Sequence, residues 1–310
     1  MMTCERRGAL ELGSLHPEEF DAWCAFCGRI FPPDAEYFRG HFQNDPAARI
    51  EDIFVARAGE EIVSSVRLFT RSAWVNGRIA RVGGIGEVCS DPAIRGQGVS
   101  SHLLERAMET MDARGWELGM LYTGRYSHYA RHGFARTQRK LKRLQAEQLS
   151  ALGGGYEVRA FERRDLNAVM GIYDLYTSQF DLALRREARA YWEKWVLASW
   201  VNPMVLTQEG RVIAYADTQR RDGVLHVREA GAIPGEDAVL AMLLGVCASK
   251  QDCAAVQLSA MVLPALKGEE MEPSGGLMVR MARPALGFAD CAQLLEKTAP
   301  RLLQWDTDGF

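Results

Sequence analysis

The sequence predicts a mixed α/β protein, an α+β arrangement with mixed sheets, built as two similar domains in tandem. Three observations carry this. The chain has 310 residues, about twice the size of one ordinary core. A glycine run, Gly153-Gly154-Gly155, sits near its midpoint. On either side of that run the same order of elements repeats: strand, two helices, three strands, helix, strand.

In the first half, Leu10 to Leu12 is a short apolar segment. An amphipathic helical pattern runs from about Pro17 to Ile30, and a shorter one from Ala35 to Phe42. IEDIFVARA reads as a strand, Gly59 turns it, and EIVSSVRLFTRSAWV is a longer one. Asn76-Gly77 is a hairpin signal, because both residues accept the positive φ of a type I′ turn. RIARVGGIGEVCS follows as a strand, then a Gly-rich loop, a helix from about Val99 to Arg114, and the strand WELGMLYT.

The second half starts with the strand YEVRAF and helices near Arg164–Ser178 and Glu187–Ser199. PMVLTQ, RVIAYADTQ and VLHVREAG form a second meander, with turns at Glu209-Gly210 and Asp222-Gly223. A helix from Glu236 to Ser249 and the strand AAVQLSA complete the copy. The domains read as residues 1–150 and 151–284, with a tail at 285–310 that belongs to neither.

Composition bounds the class. Apolar residues make up 47% and charged residues 25% of the chain, with a net charge of −3. That is a globular balance with no field to recruit nucleic acid or an anionic membrane. The longest uncharged apolar stretch, Ala238 to Ala248, is about half a membrane span. The N-terminus, MMTCERRGALELG, lacks a signal-peptide core. A cytoplasmic protein is expected, and its seven cysteines are expected as thiols. Cys24 and Cys27 lie three apart in a helical pattern, so they share a face and pack as small apolar residues. No second ligand pair follows at zinc spacing, and no metal is expected. The basic run Arg136–Arg143 lacks interleaved aromatics; it reads as a solvated strand face. Tyr191, Trp192, Trp195 and Trp200 read as core of the second half, with an acceptor-pocket lining as the lesser alternative.

The segment with chemical content is EVCSDPAIRGQGVSSHLL, Glu87 to Leu104. A strand ends at a proline, a Gly-rich turn follows, and a helix begins. Its first N–H groups have no partner within the helix and face outward at the positive end of the helix dipole. That is a seat for a diphosphate. Gly96 and Gly98 permit close backbone approach, Arg95 adds charge, and Ser100 and Ser101 add hydroxyls. Neither the P-loop nor the dinucleotide fingerprint is present.

Arg95-x-x-Gly98-x-Ser100 resembles the acyl-CoA signature Q/R-x-x-G-x-G/A of the GNAT N-acyltransferase superfamily, with serine at the last small position. Some thirty residues on, Tyr129-Ala-Arg-His-Gly133-Phe134 resembles that superfamily's Y-x-x-x-G-F. With the duplication, the chain is similar to the family of the mycobacterial enhanced intracellular survival protein: tandem GNAT domains, the first catalytic and the second degenerate. That family's third, sterol-carrier-like domain has no counterpart here. The second copy has GAIPGEDAVLA in place of the loop. Glu236 and Asp237 there would repel a diphosphate.

The resemblance implies an acetyl-CoA-dependent transfer of an acetyl group to a primary amine, by direct attack with both substrates bound. A catalytically silent acyl-CoA-binding sensor or scaffold is the alternative. The pantetheine arm would lie along Val88, Cys89 and Ser90, and the diphosphate on Arg95, Gly96, Gln97, Gly98, Val99, Ser100 and Ser101. Cys89 would be a strand residue beside the arm, not a nucleophile. Tyr129 takes the position of the family's general acid, with Tyr126 and His128 as neighbouring alternatives. The carboxylate of Phe310 takes the position of the family's terminal base, and Glu87 competes for that role. The acceptor, a small molecule or a peptide amine, is left open. So is the oligomeric state, although the family's multimers imply a homo-oligomer.

Overall fold

The computed structural model describes residues 5–7, 9–149, 153–273 and 275–309. The first half supplies strands β1 (Glu5–Arg7), β2 (Leu10–Ser14), β3 (Ile53–Ala58), β4 (Glu61–Val75), β5 (Arg78–Ser90), β6 (Leu118–Thr123), β7 (Ala135–Arg136) and β8 (Leu141–Gln145). Its helices are α1 (Phe20–Ile30), α2 (Ala35–Gln43), α3 (Val99–Ala113) and α4 (Tyr126–Ala130). The second half supplies β9 (Tyr156–Ala160), β10 (Leu184–Arg185), β11 (Pro203–Gln208), β12 (Arg211–Arg221), β13 (Val224–Ala232), β14 (Ala255–Ser259), β15 (Glu269–Met271) and β16 (Gly276–Met281). Its helices are α5 (Leu166–Thr177), short turns α6 (Arg189–Tyr191) and α7 (Leu197–Ser199), α8 (Asp237–Lys250) and α9 (Cys291–Thr298).

These strands make two mixed sheets. The first runs β1-β2-β3-β4-β5-β6-β16-β7, with β10 paired to β4; the second runs β15-β8-β14-β13-β12-β11-β9. The boundary read at residue 150 therefore divides the chain but not the sheets. β8 comes from the first half and pairs with β14 of the second. β16 comes from the second half and fits between β6 and β7. Each exchange covers an edge that would otherwise be left unpaired.

The basic run is corrected by the same exchange. Lys142 is buried on β8, donates to the Leu263 and Leu266 carbonyls, and is pulled down to a pKa of about 8 by burial. Arg136 pairs with Glu272 and Lys140 with Glu270. The stretch runs from β7 of the first sheet to β8 of the second; Arg136 and Lys140 are solvated as read, but Lys142 is not. Among the described residues, no helix is long and apolar enough to cross a membrane.

Helices α1 and α2 cover one face of the first sheet. Trp23, Cys24, Phe26 and Cys27 of α1 pack with Phe38 of α2 and with Ile53, Val55 and Cys89. Burial pushes the Cys24 thiol up to about 11, and a hydrogen bond with the Cys89 thiol, joined by burial, pushes the Cys27 thiol further. Protonated, buried thiols are inert. Helix α3 covers the other face with Val99, Leu103, Leu104 and Ala107.

The α1–α2 corner depends on Gly28. A Cβ there would lie 2.6 Å from the Ala35 nitrogen and 2.9 Å from the Asp34 carbonyl carbon. Helix propensity favours alanine over glycine by about 1 kcal/mol. The clash is with backbone, which cannot rotate away, and overpacking costs about 1–3 kcal/mol. Gly28→Ala is therefore expected to lower the thermal midpoint; an unchanged or raised midpoint would show that the corner yields.

Candidate functional site

The Gly-rich loop is built as the sequence requires. Asp91 caps the turn Pro92–Ile94 by accepting from the Ala93 N–H. Gly96 and Gly98 have φ of +80° and +76°, and Gly98 is the residue that opens α3. Nothing lies within 4 Å of a Cβ placed on Gly96. Arg95, Gly96, Gln97 and Gly98 are exposed, and no acidic residue occupies the first turn of α3. An anion can thus approach the bare N–H groups of Val99, Ser100 and Ser101 from solvent. The equivalent helix of the second half, α8, opens on Glu236 and Asp237.

β5 and β6 run parallel for only three pairs, Val82↔Leu118, Gly83↔Gly119 and Gly84↔Met120. Beyond Gly84 they part, and β6 continues against β16. The wedge opens toward the Gly-rich loop. Its β5 wall carries Val88, Cys89 and Ser90. Ser64 Oγ donates to the Cys89 carbonyl at 2.9 Å and meets Ser90 Oγ at 2.8 Å. The register of β4 against β5 slips between Ser65 and Arg67. Glu87 sits at that slip with φ of +52°, a strained value for a non-glycine residue.

Tyr129 lies in α4, just past β6. Its ring is buried in the apolar cluster that holds Val99 and Phe134, with Val88 packed against it. Burial pushes its hydroxyl up to about 12, with Arg125 opposing. Its hydroxyl makes no hydrogen bond among the described residues. His128 stacks edge-on against the ring at 4.8 Å, and burial lowers its pKa. Tyr126 is turned under Arg136 instead, 4.6 Å from the guanidinium.

On the opposite face of the sheet, Glu87 does not point into open space. Its Oε1 meets His41 Nδ1 at 2.8 Å and Arg67 at 3.3 Å, and its Oε2 is buried without a partner. Arg67 also reaches Asp45 at 3.3 Å, and Arg71 reaches the same carboxylate at 3.0 Å. Burial pulls Arg67 down while Glu87 and Asp45 hold it up. Two guanidiniums thus face two carboxylates. Aromatic rings close the cluster: Arg67 lies 4.0 Å over Phe69, and Arg71 lies 5.1 Å over Tyr191 and 5.2 Å over Trp195.

Tyr191 and Trp195 come from the second half, the first preceding and the second within a π-helical turn at Trp192–Val196. Trp195 lies 4.3 Å from His41, ring to ring. The aromatic group packs in the apolar cluster of the second half as read, with Trp192 and Trp200 against Tyr173 and Tyr215. Tyr191 and Trp195 reach across to the first half.

His41, Asp45, Arg67 and Arg71 were not singled out from the sequence. One signal was present. Residues 67, 69 and 71 alternate onto one face of β4 as Arg-Phe-Arg, inside a largely buried strand. Two arginines on a buried face need partners, and nothing in the sequence says which.

The tail is not loose over residues 285–309. Leu302, Leu303, Gln304, Trp305, Thr307 and Asp308 are all buried. The second sheet repeats the wedge of the first: β13 and β14 are parallel through Val224↔Ala255, Leu225↔Val256 and His226↔Gln257, then part. The tail fills that gap, and the Asp306 N–H donates to the Arg228 carbonyl at 3.0 Å. A cavity of only about 30 Å³ remains there. The same tail touches the first sheet, where the Tyr122 hydroxyl donates to Gln304 at 2.7 Å. Phe310 lies outside the described residues. Among those residues no cluster of metal-ligating side chains is found. A wider hollow of about 700 Å³ on the second sheet, around Arg159, Asp165 and Arg211, includes no residue of the loop, the wedge or the His41 cluster.

Residues 11–137 match the family model for the acetyltransferase (GNAT) domain. No curated protein matches the chain by sequence. Solved structures share its fold at low identity. A GCN5-related N-acetyltransferase from Anabaena variabilis ATCC 29413 superposes with a TM-score of 0.71 at 13% identity, covering 88% of this chain and 72% of that one. Eis1 from Mycobacterium abscessus gives 0.60 at 15%, covering 88% and 74%. Saccharomyces cerevisiae N-myristoyltransferase, solved with bound myristoyl-CoA, gives 0.61 at 9%, covering 97% and 90%.

Proposed function

We propose, from the premise that residues 11–137 are a GNAT acetyltransferase domain and the chain an acyltransferase, that it transfers an acetyl group from acetyl-CoA to a primary amine by direct attack in a ternary complex. The observation that carries this is the wedge between β5 and β6, open at the Gly-rich loop and closed at Gly84. The diphosphate sits on residues 95–101, with Arg95 as its cation. The pantetheine arm adds to β5 along Val88, Cys89 and Ser90, as an extra strand would. At about 3.3 Å per residue, Ser90 to Gly86 spans about 13 Å. The arm therefore brings its acyl end to the apex, beside Glu87.

Glu87 and Tyr129 belong to opposite faces of the sheet at that apex. This suits the chemistry. The amine attacks the carbonyl from one side and loses a proton there, while the thiolate leaves on the other and needs a donor. Tyr129 keeps its proton at neutral pH and donates a hydrogen bond to the developing thiolate. Two positions serve for the base, the side of Glu87 and the Phe310 carboxylate. Acyl-CoA occupies the first sheet only, since the second wedge holds the tail. The acceptor enters between the halves, past Tyr37 and Trp195, and is a small-molecule or peptide amine.

The test is thiol release from acetyl-CoA, followed with a chromogenic thiol reagent, against spermidine, tobramycin, free lysine and a lysine-containing tetrapeptide. Release dependent on one amine is the expected result and names the acceptor class. Acetyl-CoA binding by calorimetry with no release from any of the four would overturn the transferase reading in favour of a silent acyl-CoA sensor or scaffold.

A further inference from the structure

We infer that His41 is the general base of this site and that Glu87 positions it. The inference rests on the transferase reading above and identifies the group that takes the amine proton.

Glu87, when ionised, has only acceptor atoms. The contact of 2.8 Å from His41 Nδ1 to Glu87 Oε1 therefore requires the proton on Nδ1. In the neutral ring, that tautomer leaves the lone pair on Nε2. Among the described residues, Nε2 makes no hydrogen bond. The ring is held by more than the carboxylate. Tyr37 stacks on it at 5.3 Å, Phe69 meets it edge-on at 5.7 Å, and Trp195 lies at 4.3 Å. The side chain keeps 16% of its surface exposed, against 5% for Glu87. The imidazole can meet a substrate from solvent, and the carboxylate cannot. This is the arrangement of a base oriented by a buried acid.

Charged and polar groups face the dyad from each element packed against it. Arg67 faces Glu87 from β4, and Asp45 and Arg71 lie beyond it. Tyr37 faces the ring from its own helix, and Tyr191 lies past Trp195 from the second half. The two guanidiniums balance the two carboxylates, so no net charge of the cluster opposes an imidazolium formed in the step.

In the step, the amine lone pair forms the C–N bond to the thioester carbonyl carbon, and the amine proton passes to His41 Nε2. The C–S bond breaks, and the thiolate takes the Tyr129 proton. Imidazolium and phenolate then exchange with solvent, which returns both groups to their starting states. The products are the acetamide and free CoA thiol.

The acceptor for the test is whichever of the four amines the wild-type protein turns over. His41→Ala is expected to lower kcat about 100-fold or more, with acetyl-CoA affinity by calorimetry unchanged. Added imidazole is expected to restore part of the rate. The acidic limb of the kcat/KM profile, present in wild type, should disappear. Glu87→Gln should lower kcat about 10-fold and displace that limb, because the ring keeps a partner but loses its charge.

Three results overturn the inference. One is a His41→Ala rate within threefold of wild type. Another is a loss that imidazole does not rescue and that leaves the acidic limb in place, which makes His41 a packing residue. The third is abolition of turnover on removing Phe310 while His41→Ala is silent, which puts the base on the chain end. A wild-type protein that acetylates none of the four amines fails at the transferase reading instead, and this inference falls with it.

Discussion

Tyr129→Phe lowers kcat by about 100-fold or more while leaving acetyl-CoA binding intact. General acid–base groups contribute about 10²–10⁴-fold, and the substitution removes only the donor. The ring stays, so the contacts with Val99 and Phe134 that hold α4 in place stay with it. Packing and chemistry are thereby separated. Burial pushes the phenol up to about 12. A raised phenol stays protonated until pH approaches that value, so the donor is present across the neutral and mildly alkaline range. Loss of activity between pH 8 and 10 therefore belongs to another group, and the pH profile of wild type checks this. An unchanged kcat in Tyr129→Phe would remove the phenol from the mechanism and turn attention to His128, whose ring lies beside it.

Arg186→Met unfolds the protein more readily than any surface substitution. Arg186 is buried on the segment that follows β10. Its guanidinium meets Asp308 at 2.7 Å and Glu229 at 2.8 Å, and it donates to the Thr307 hydroxyl at 2.7 Å. Tyr173 and Trp192 cover its faces at 4.3 and 5.0 Å. Methionine would fill much of the volume but leave two buried carboxylates facing each other. Removing one partner of a buried ion pair costs about 3–5 kcal/mol. Burial already pushes the Asp308 carboxyl up, with Glu229 adding to the push and Arg186 opposing it. Without the arginine, one carboxylate takes up a proton or the tail leaves its gap.

Thermal unfolding reads the loss as a lowered midpoint. Adding Glu229→Gln and Asp308→Asn to Arg186→Met should recover part of it, since no unpaired charge remains. A midpoint for Arg186→Met within a degree of wild type would mean that the tail is held by its apolar residues alone.

The geometry of the Gly-rich loop was legible because it is local. A loop of fewer than ten residues supplies its own geometry: Asp91 caps, Gly96 and Gly98 take positive φ, and α3 begins without an acid in its first turn. Tyr129 was found in the same way, from a short motif at fixed spacing. The charged cluster on the opposite face was not legible, because its groups are far apart in sequence. His41 is on α2, Glu87 on β5, Arg67 and Arg71 on β4, and Trp195 in the second half. Each alone reads as a helix-end histidine, a strand glutamate or a core tryptophan.

Most elements were fixed locally too. The meanders at 53–90 and 203–232, their turns at Asn76-Gly77, Glu209-Gly210 and Asp222-Gly223, and the helices α1, α3, α5 and α8 follow from alternation, helical period and glycine placement. The sequence by itself thus determined the class, the repeat and the glycine turn that opens α3. The tertiary structure alone decided the exchange of β8 and β16 between sheets, the filling of the second wedge by the tail, and the pairing of His41 with Glu87. The physical reason is the range of the forces. Backbone dihedral preference and side-chain period act over a few residues and are written along the chain. Which edge a strand covers, and which carboxylate a buried arginine or histidine meets, is settled only when distant segments pack and each buried polar group must find a partner.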